Sequence, residues 1–438
     1  MKEKMRLLLG GSPCTHWSIA QTKNRETEAR GLGWELFLNY KIALEKFQPD
    51  YFLYENNKSM AAAIREQITR KLGVEPVLIN SALVSAQNRQ RLYWVGKRNP
   101  DGTCSQVDVE QPEDRGIILR DILEPTTCEK GYILKPSGKP LTKREMEYMV
   151  RETSGGRNHF DFNYHHDATT GKSQCVTANT HRGVPYNVLV EPVNATVAEP
   201  VRIGTIESEA KNAGFDSQQY RVYSPDGKSV TLCGQGGGVG AKNGLYAAPA
   251  AGRVVGRRIN AKGRVLNAGP GGLGVQTELY AMPPDGKTFP VYEVRNGLIT
   301  IKGKQYPIKL ADGFYIIRKL TVTECKRLQT VPDSYIFPVS DTQAYKMLGN
   351  GWTVDVIAHI MGHFDGIKDK PVEVLSMYDG MSCGHIALDR LGAEVTAYYA
   401  TEIDKYAIQS TQANYPETVQ LGDAFQVLED DWNGGGLL

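Results

Sequence analysis

The cysteine of Gly10-Gly11-Ser12-Pro13-Cys14 follows directly on the apolar run Met5–Leu9, which reads as a strand. A loop leaving the C-terminal end of a strand lies at the sheet edge where open α/β folds gather their ligands. A cysteine there can act as a nucleophile, although a lone cysteine is more often a small buried hydrophobe, so its companions decide. Tyr54-Glu55-Asn56-Asn57 closes a second strand-like run, Tyr51–Tyr54, and sets a carboxylate at the same edge. That carboxylate handles a proton if it faces a pocket and is otherwise a solvated loop residue. Gln87-Asn88-Arg89-Gln90-Arg91 leads into Leu92–Val95, where strand alternation sends Arg89 and Arg91 to one face. Paired guanidinium groups on a buried strand need anionic or carbonyl partners. A nucleophile, a proton-handling acid and two cations thus share one edge.

The elements that must position them alternate. Strand-like runs at Met5–Leu9, Tyr51–Tyr54, Val77–Asn80 and Arg91–Val95 are separated by helical patterns across Trp34–Lys46 and Met60–Leu72, as in a mostly parallel sheet. From about residue 110 to 310 the chain is rich in Gly, Pro and Thr, with turn signals at Pro225-Asp226-Gly227 and Pro284-Asp285-Gly286. Gly227-Lys-Ser-Val-Thr-Leu-Cys with its glycine turns recurs as Gly263-Arg-Val-Leu-Asn-Ala, and more faintly over 171–190. Such a repeat is either a plain string of hairpins or a β-rich module presenting loops to a polymer. Strand and helix return at 318–365 and again at 372–428, where Val372–Tyr378, Gly384–Leu391, Val395–Ala400 and Lys405–Asn414 read as a β-α-β-α start standing where the end of a protein is expected.

Composition narrows the class without naming a partner. At 438 residues, 41% hydrophobic and 23% charged, the chain can bury more than one core. No apolar run approaches the roughly 20 residues needed to span a bilayer, and the opening residues are too quickly broken for a signal peptide, so a cytoplasmic protein without membrane attachment is expected. The seven cysteines include no Cys-x-x-Cys pair, which argues against a disulfide framework and a structural zinc site. A formal charge of +2 does not announce nucleic acid, because phosphate binding depends on where Lys and Arg cluster.

Taken in order, these motifs resemble the C5 cytosine methyltransferases. Gly10-Gly-Ser-Pro-Cys14 resembles their nucleophile motif, Glu55-Asn56 their Glu-Asn motif, and Gln87-x-Arg89-x-Arg91 their Gln-x-Arg-x-Arg motif. Arg318-Lys-Leu-Thr-Val-Thr-Glu324-Cys-Lys-Arg327-Leu-Gln329-Thr-Val-Pro-Asp333 is similar to the long motif after the recognition domain, and Tyr345-Lys-Met-Leu-Gly349-Asn350-Gly-Trp352 to the closing motif. Ser376-Met-Tyr378-Asp379-Gly380-Met-Ser382-Cys383-Gly384 resembles the Phe-x-Gly-x-Gly cofactor loop, with Ser382 and Cys383 where many members have glycines. That departure, with Val84-Ser85-Ala86 and Gly351-Trp352, is similar to the branch that includes the vertebrate de novo enzymes. Glu402, about twenty residues beyond the loop and followed by Ile403, fits the acidic ribose ligand. Gly422-Asp423-Ala424 fits the adenine turn.

The resemblance implies an α/β fold: a Rossmann-like S-adenosylmethionine-dependent methyltransferase sheet carrying a β-rich, Gly-rich target-recognition domain. The expected division is 1–109 and 317–438 for the methyltransferase domain, with the cofactor segment at 372–428, and 110–316 for recognition. It implies a DNA (cytosine-5-)-methyltransferase of a bacterium or phage, acting as a monomer on double-stranded DNA in modification of a restriction type. The base is flipped out of the duplex. Cys14 adds to C6, Glu55 contacts N3 and the exocyclic amine, Arg89 and Arg91 position the base, and C5 takes the methyl group without a metal. Tyr378, Asp379, Gly380, Ser382, Glu402, Ile403, Asp423, Ala424, Asn350 and Trp352 would bind S-adenosylmethionine. Arg182, Arg253, Arg257, Arg258 and the glycine loops are candidate readers of base edges. In the usual family order the cofactor motifs come first, so the chain reads as circularly permuted, with Asp423–Leu438 and Met1–Cys14 neighbours in space. A methyltransferase acting on transfer RNA shares such a core, but that branch lacks so long an insert. A dead regulatory relative would not need Cys14, Glu55, Arg89, Glu402 and Asn350 together.

Overall fold

The structure is a computed structural model describing residues 4–13, 16–17, 25–124, 141–153, 155–159, 172–177, 310 and 312–427, with the segments 164–165, 188–193, 202–205, 221–223, 245–246, 253–256, 279–282, 289–301 and 304–308. The chain divides into two compact units. One comprises residues 1–123, 167–187 and 322–438, the other 124–166 and 188–321.

The first unit is built on strands β1 (Met5–Gly10), β2 (Tyr51–Asn57), β3 (Pro76–Asn80), β4 (Gln90–Arg98), β5 (Val372–Met377), β6 (Val395–Thr401) and β7 (Val419–Gly422). Its longer helices are α1 (Leu32–Phe47), α2 (Ala62–Leu72), α3 (Val322–Leu328), α4 (Asp341–Asn350), α5 (Val354–Met361), α6 (Cys383–Leu391) and α7 (Lys405–Asn414). The strand order is β7-β6-β5-β1-β2-β4-β3. β1 runs parallel to both β5 and β2, pairing Met5 with Val372 and Gly10 with both Met377 and Tyr54. β4 alone on this path is reversed, antiparallel to both β2 and β3. A strand buried on both faces is apolar throughout rather than alternating. Accordingly Leu7, Leu8 and Leu9 have no exposed surface, and every residue of β5 is buried.

α1 buries Phe37, Tyr40, Leu44 and Phe47, the spacing of one helical face, against Phe52, Tyr54 and Trp94 of the sheet. α2 ends where Gly73 takes φ 73°, a left-handed cap that glycine adopts without strain. Because β4 is reversed, its first residues meet the last of β2, and Arg91 stands opposite Asn57. The C-terminal ends of β1, β2, β5, β6 and β7 and the N-terminal end of β4 therefore form one edge. β2 runs three residues past the expected Tyr54, so Glu55 is a strand residue with a fixed backbone.

In the second unit, Val188–Val193, Gly313–Lys319, Phe289–Arg295, Leu279–Met282 and Arg253–Gly256 form consecutive antiparallel pairs. Asn296 and Gly297, at φ 51° and 67°, turn Phe289–Arg295 back into Leu298–Ile301, the two-residue hairpin whose twist matches that of its strands. Arg182, Arg257, Arg258, both proline-aspartate-glycine turns and nearly all of the glycine repeat lie outside the described residues, and of Arg253 only the backbone is described.

Candidate active site

The loop after β1 is fixed by the end of β2. A Cβ on Gly11 would stand 2.9 Å from the carbonyl oxygen of Glu55 and 3.0 Å from its Oε2, so only glycine lets the loop lie this close. Ser12 Oγ shares a 2.6 Å hydrogen bond with the Tyr54 hydroxyl, and Asn56 Nδ2 donates to Ser12 O at 3.1 Å. Burial pushes the Tyr54 phenol above its ordinary range, so it stays protonated. Asn56 thus serves the backbone of the loop. Cys14, one residue past Pro13, lies outside the described residues.

Glu55 faces two partners. Its Oε1 is 3.0 Å from Arg91 Nε, and its Oε2 accepts a 3.0 Å hydrogen bond from Trp352 Nε1. The Arg91 and Glu55 side chains are 15% and 12% exposed, dry enough to strengthen the pair and open enough to meet a ligand. Arg89 has different work. Its guanidinium donates to Val176 O at 3.0 Å and Gly351 O at 2.7 Å, with a longer bond to Gly349 O at 3.4 Å, tying down the loop that follows α4. Gln87 accepts from Val176 N at 2.8 Å and donates to Leu328 O at 2.8 Å and Gln329 Oε1 at 3.0 Å. Gln329 in turn donates to Leu348 O at 2.6 Å and accepts from Thr353 Oγ1 at 2.8 Å. Of the three polar side chains in the Gln-x-Arg-x-Arg run, two brace backbone and the third reaches the carboxylate.

Sequence reasoning missed Cys175. The short strand Ser173–Gln174 pairs in parallel with Gln87–Asn88. It brings Cys175 Sγ to 2.9 Å from Arg89 Nη1 and 3.7 Å from Arg91 Nη2. In sequence this stretch was only the faint third copy of a repeat, and nothing local marks its partner.

The other half of the edge is a backbone cradle. Tyr378, Gly380 and Ser382 all take left-handed conformations, φ 60°, 61° and 57°. For non-glycine residues such φ values cost on the order of 1–3 kcal/mol each and persist where the surroundings impose them, commonly at functional sites. Ser382 stands at the N-cap of α6 with no side-chain cap, leaving a helix N-terminus suited to a carboxylate. Asp379 turns inward, accepting from Ser382 Oγ and, at 2.8 Å, from the Tyr398 hydroxyl, and burial pushes its carboxyl above the usual range. Glu402 is filled largely by backbone: Gly380 N reaches one oxygen at 2.8 Å, and Ile403 N and Asp404 N reach the other, both at 2.8 Å. A carboxylate offers about four acceptor positions, so one remains on the oxygen that Gly380 uses. Ile403 and Phe425 stand 75% and 50% exposed, two bare apolar side chains beside the ends of β6 and β7, while Ala424 between them in sequence is buried. Asp423 Oδ1 accepts from Phe425 N at 3.0 Å, and Asn350 is exposed at the end of α4. Acidic, apolar and helix-terminal groups in this arrangement fit a cofactor with hydroxyl, ring and carboxylate parts.

One edge therefore carries the glycine loop after β1, a carboxylate held by a cation and an indole, and a turn whose backbone N–H groups gather on a second carboxylate. The family model of the C-5 cytosine-specific DNA methylases matches residues 1–235 and 275–365. The chain belongs to this family. It is an enzyme of DNA cytosine methylation. This methylase is 25% identical over 399 residues to the orphan methyltransferase M.SPRI of Bacillus phage SPR, covering 81% of each chain. It is 23% identical to the type II methyltransferase M.HpaII of Haemophilus parainfluenzae, over 81% of this chain and 70% of that one. With the type II methyltransferase M.HhaI of Haemophilus parahaemolyticus the identity is 20%, over 81% and 74%. Among the described residues of the methylase, no helix is long and apolar enough to cross a membrane.

Proposed function

We propose that the methylase transfers a methyl group to C5 of a cytosine flipped out of a specific duplex DNA sequence, through a covalent bond between Cys14 and C6. The observation that carries this reading is Glu55, held between Arg91 and Trp352 and so near the loop that bears Cys14 that a Cβ on Gly11 would stand 3.0 Å from its Oε2. A carboxyl group so placed meets N3 and the exocyclic amine of a base whose C6 lies over Cys14. Addition of the thiolate to C6 pushes electron density onto N3 and C5; N3 takes the proton of the Glu55 carboxyl group, and Arg91 steadies the carboxylate left behind. Loss of the C5 proton returns an electron pair to the ring and expels Cys14. S-adenosylmethionine, when bound, supplies an electrophilic methyl group. Tyr378, Gly380, Ser382, Glu402, Ile403, Asp423, Ala424, Asn350 and Trp352 would hold it, with Asp379 shaping the loop from within. Residues of the second unit would read the flanking bases. Relatives named as type II or orphan methyltransferases support a modification role in a bacterial or phage setting.

Labelled-methyl transfer tests the reading. The protein should label duplex DNA and leave transfer RNA unlabelled, and Cys14→Ser should abolish transfer while retaining cofactor binding, because only a thiolate adds to C6 at neutral pH. Turnover above a few per cent in that variant would sink the assignment. Mapping the labelled positions would give the recognised sequence.

We also propose that the chain is a circular permutation of the common motif order. Support comes from the register Met5–Gly10 against Val372–Met377, and from a family match that ends at residue 365, ahead of the cofactor strand. Joining Leu438 to Met1 by a short flexible linker and opening the chain at Asp369-Lys370, which lies among turns with Asp369 exposed, should give a folded protein that binds S-adenosylmethionine and methylates the same sites. A soluble product without cofactor affinity would overturn this.

A further inference from the structure

The mechanism above makes no use of Cys175, yet the side chain stands inside it. Backbone fixes it from both sides: Ser173 N donates to Ala86 O at 2.6 Å, and Val176 N to Gln87 Oε1 at 2.8 Å. Sγ thereby meets Arg89 and Arg91 at once. Two guanidinium groups face one sulfur atom in a half-buried site, and positive charge at that range favours the anionic form of the thiol. Among the described residues, the Tyr93 phenol and the Cys383 thiol also face this cluster. Burial pushes Tyr93 above its ordinary range and Cys383 up to about 12, so neither supplies an anion at neutral pH.

Cys104 serves as an internal control, since it too is partly exposed. Burial pushes the Cys104 thiol up. Burial acts on Cys175 in the same sense, but the guanidinium groups of Arg89 and Arg91 outweigh it and hold the thiol below its ordinary value. The contact that favours a protonated thiol, Sγ to Val176 O at 3.4 Å, is to an oxygen that already accepts from Arg89 at 3.0 Å.

We propose that Cys175 is a positioning residue for methyl transfer: as the thiolate counter-ion of Arg89 and Arg91, it holds the Arg91 guanidinium on Glu55, and protonation of the thiolate loosens that pair. The proposal rests on the reading of Glu55 and Arg91 as groups at the reacting base.

Two measurements test it. The ultraviolet absorbance of the thiolate, taken as the intact protein minus Cys175→Ser, should titrate below the ordinary thiol value of about 8.5. A difference signal that grows in only above that value overturns the proposal, and Cys175→Ala replaces the serine variant should the latter not fold. The second measurement is the pH dependence of kcat at saturating DNA and S-adenosylmethionine. Cys175→Ser should lower kcat about tenfold through misplacement of Arg91, leave the cofactor Kd unchanged, and lose the acid limb attributable to Cys175. Cys175→Asp, a permanent anion, should recover most of kcat on the acid side. Wild-type kcat in the serine variant, or an aspartate variant no better than serine, overturns the proposal. Failure of the reaction reading itself would show separately, as turnover in Cys14→Ser, while the absorbance titration would still report on Cys175.

Discussion

At Glu55 the geometry is fixed by side chain meeting side chain, whereas at Glu402, on the same sheet edge, an identical carboxylate is filled by backbone. The first meets a guanidinium and an indole, groups carried on side chains rather than on the backbone. The second accepts three N–H groups from the turn it shapes, and that turn holds non-glycine residues at positive φ. An ion pair between flexible side chains can be loosened by protonation or by a substrate atom while the fold persists. A cradle of backbone N–H groups is either formed or not, because its donors cannot move without the chain. The site thus joins an adjustable half, to which the proposed mechanism brings the base, to a preformed half, to which it brings the cofactor.

That contrast can be broken from either side. The largest effect is expected for Glu55→Gln, which keeps the shape and removes the charge: kcat should fall about a hundredfold or more, with cofactor affinity by calorimetry unchanged. Loss of cofactor affinity as well would mean that the two halves are not separable. Glu402→Ala should do the reverse. Three N–H groups lose their acceptor, so thermal unfolding should report a loss of about 2 kcal/mol, less what water recovers, and the cofactor Kd should rise about tenfold. At saturating cofactor, kcat should return close to wild type, and a kcat defect that persists there would place Glu402 in the chemistry. The smallest effect sharpens the backbone side. A Cβ on Gly380 meets nothing within 4 Å, yet its φ of 61° is left-handed, so Gly380→Ala should cost about 1 kcal/mol in denaturant unfolding from backbone strain alone. A larger loss would reveal a contact rather than a conformation.

The adjustable half was partly legible in the sequence and the preformed half was legible by position only. Strand ends placed Glu55 and Arg91 on one edge because alternation and apolar runs are local signals, and the helix Lys405–Asn414 was readable to the residue. Arg89 was expected beside the base, but its carbonyl partners lie at 176, 349 and 351, separations that no periodicity encodes. The reversal of β4 followed from no pattern either, since a buried strand reads the same in both directions. Asp379 looked like a cofactor ligand within its loop, and only the packing of Ser382 and Tyr398 around it turns its carboxylate inward. Cys175 was hidden for the same reason as Arg89: its meaning lies in two arginines brought to it by the strand pairing of Ser173–Gln174 with Gln87–Asn88.

The pairing of Met5–Gly10 with Val372–Met377 also sets an order of events during synthesis. A ribosome adding about 5–20 residues per second delivers the first strand tens of seconds before its neighbour on one side exists. Until then, β1 presents an unpaired apolar edge to the cell, the kind of surface on which nascent chains associate with one another. Productive folding of this enzyme should therefore depend on how that edge is shielded while the ribosome finishes, and slower growth at lower temperature should favour the soluble product over the aggregate.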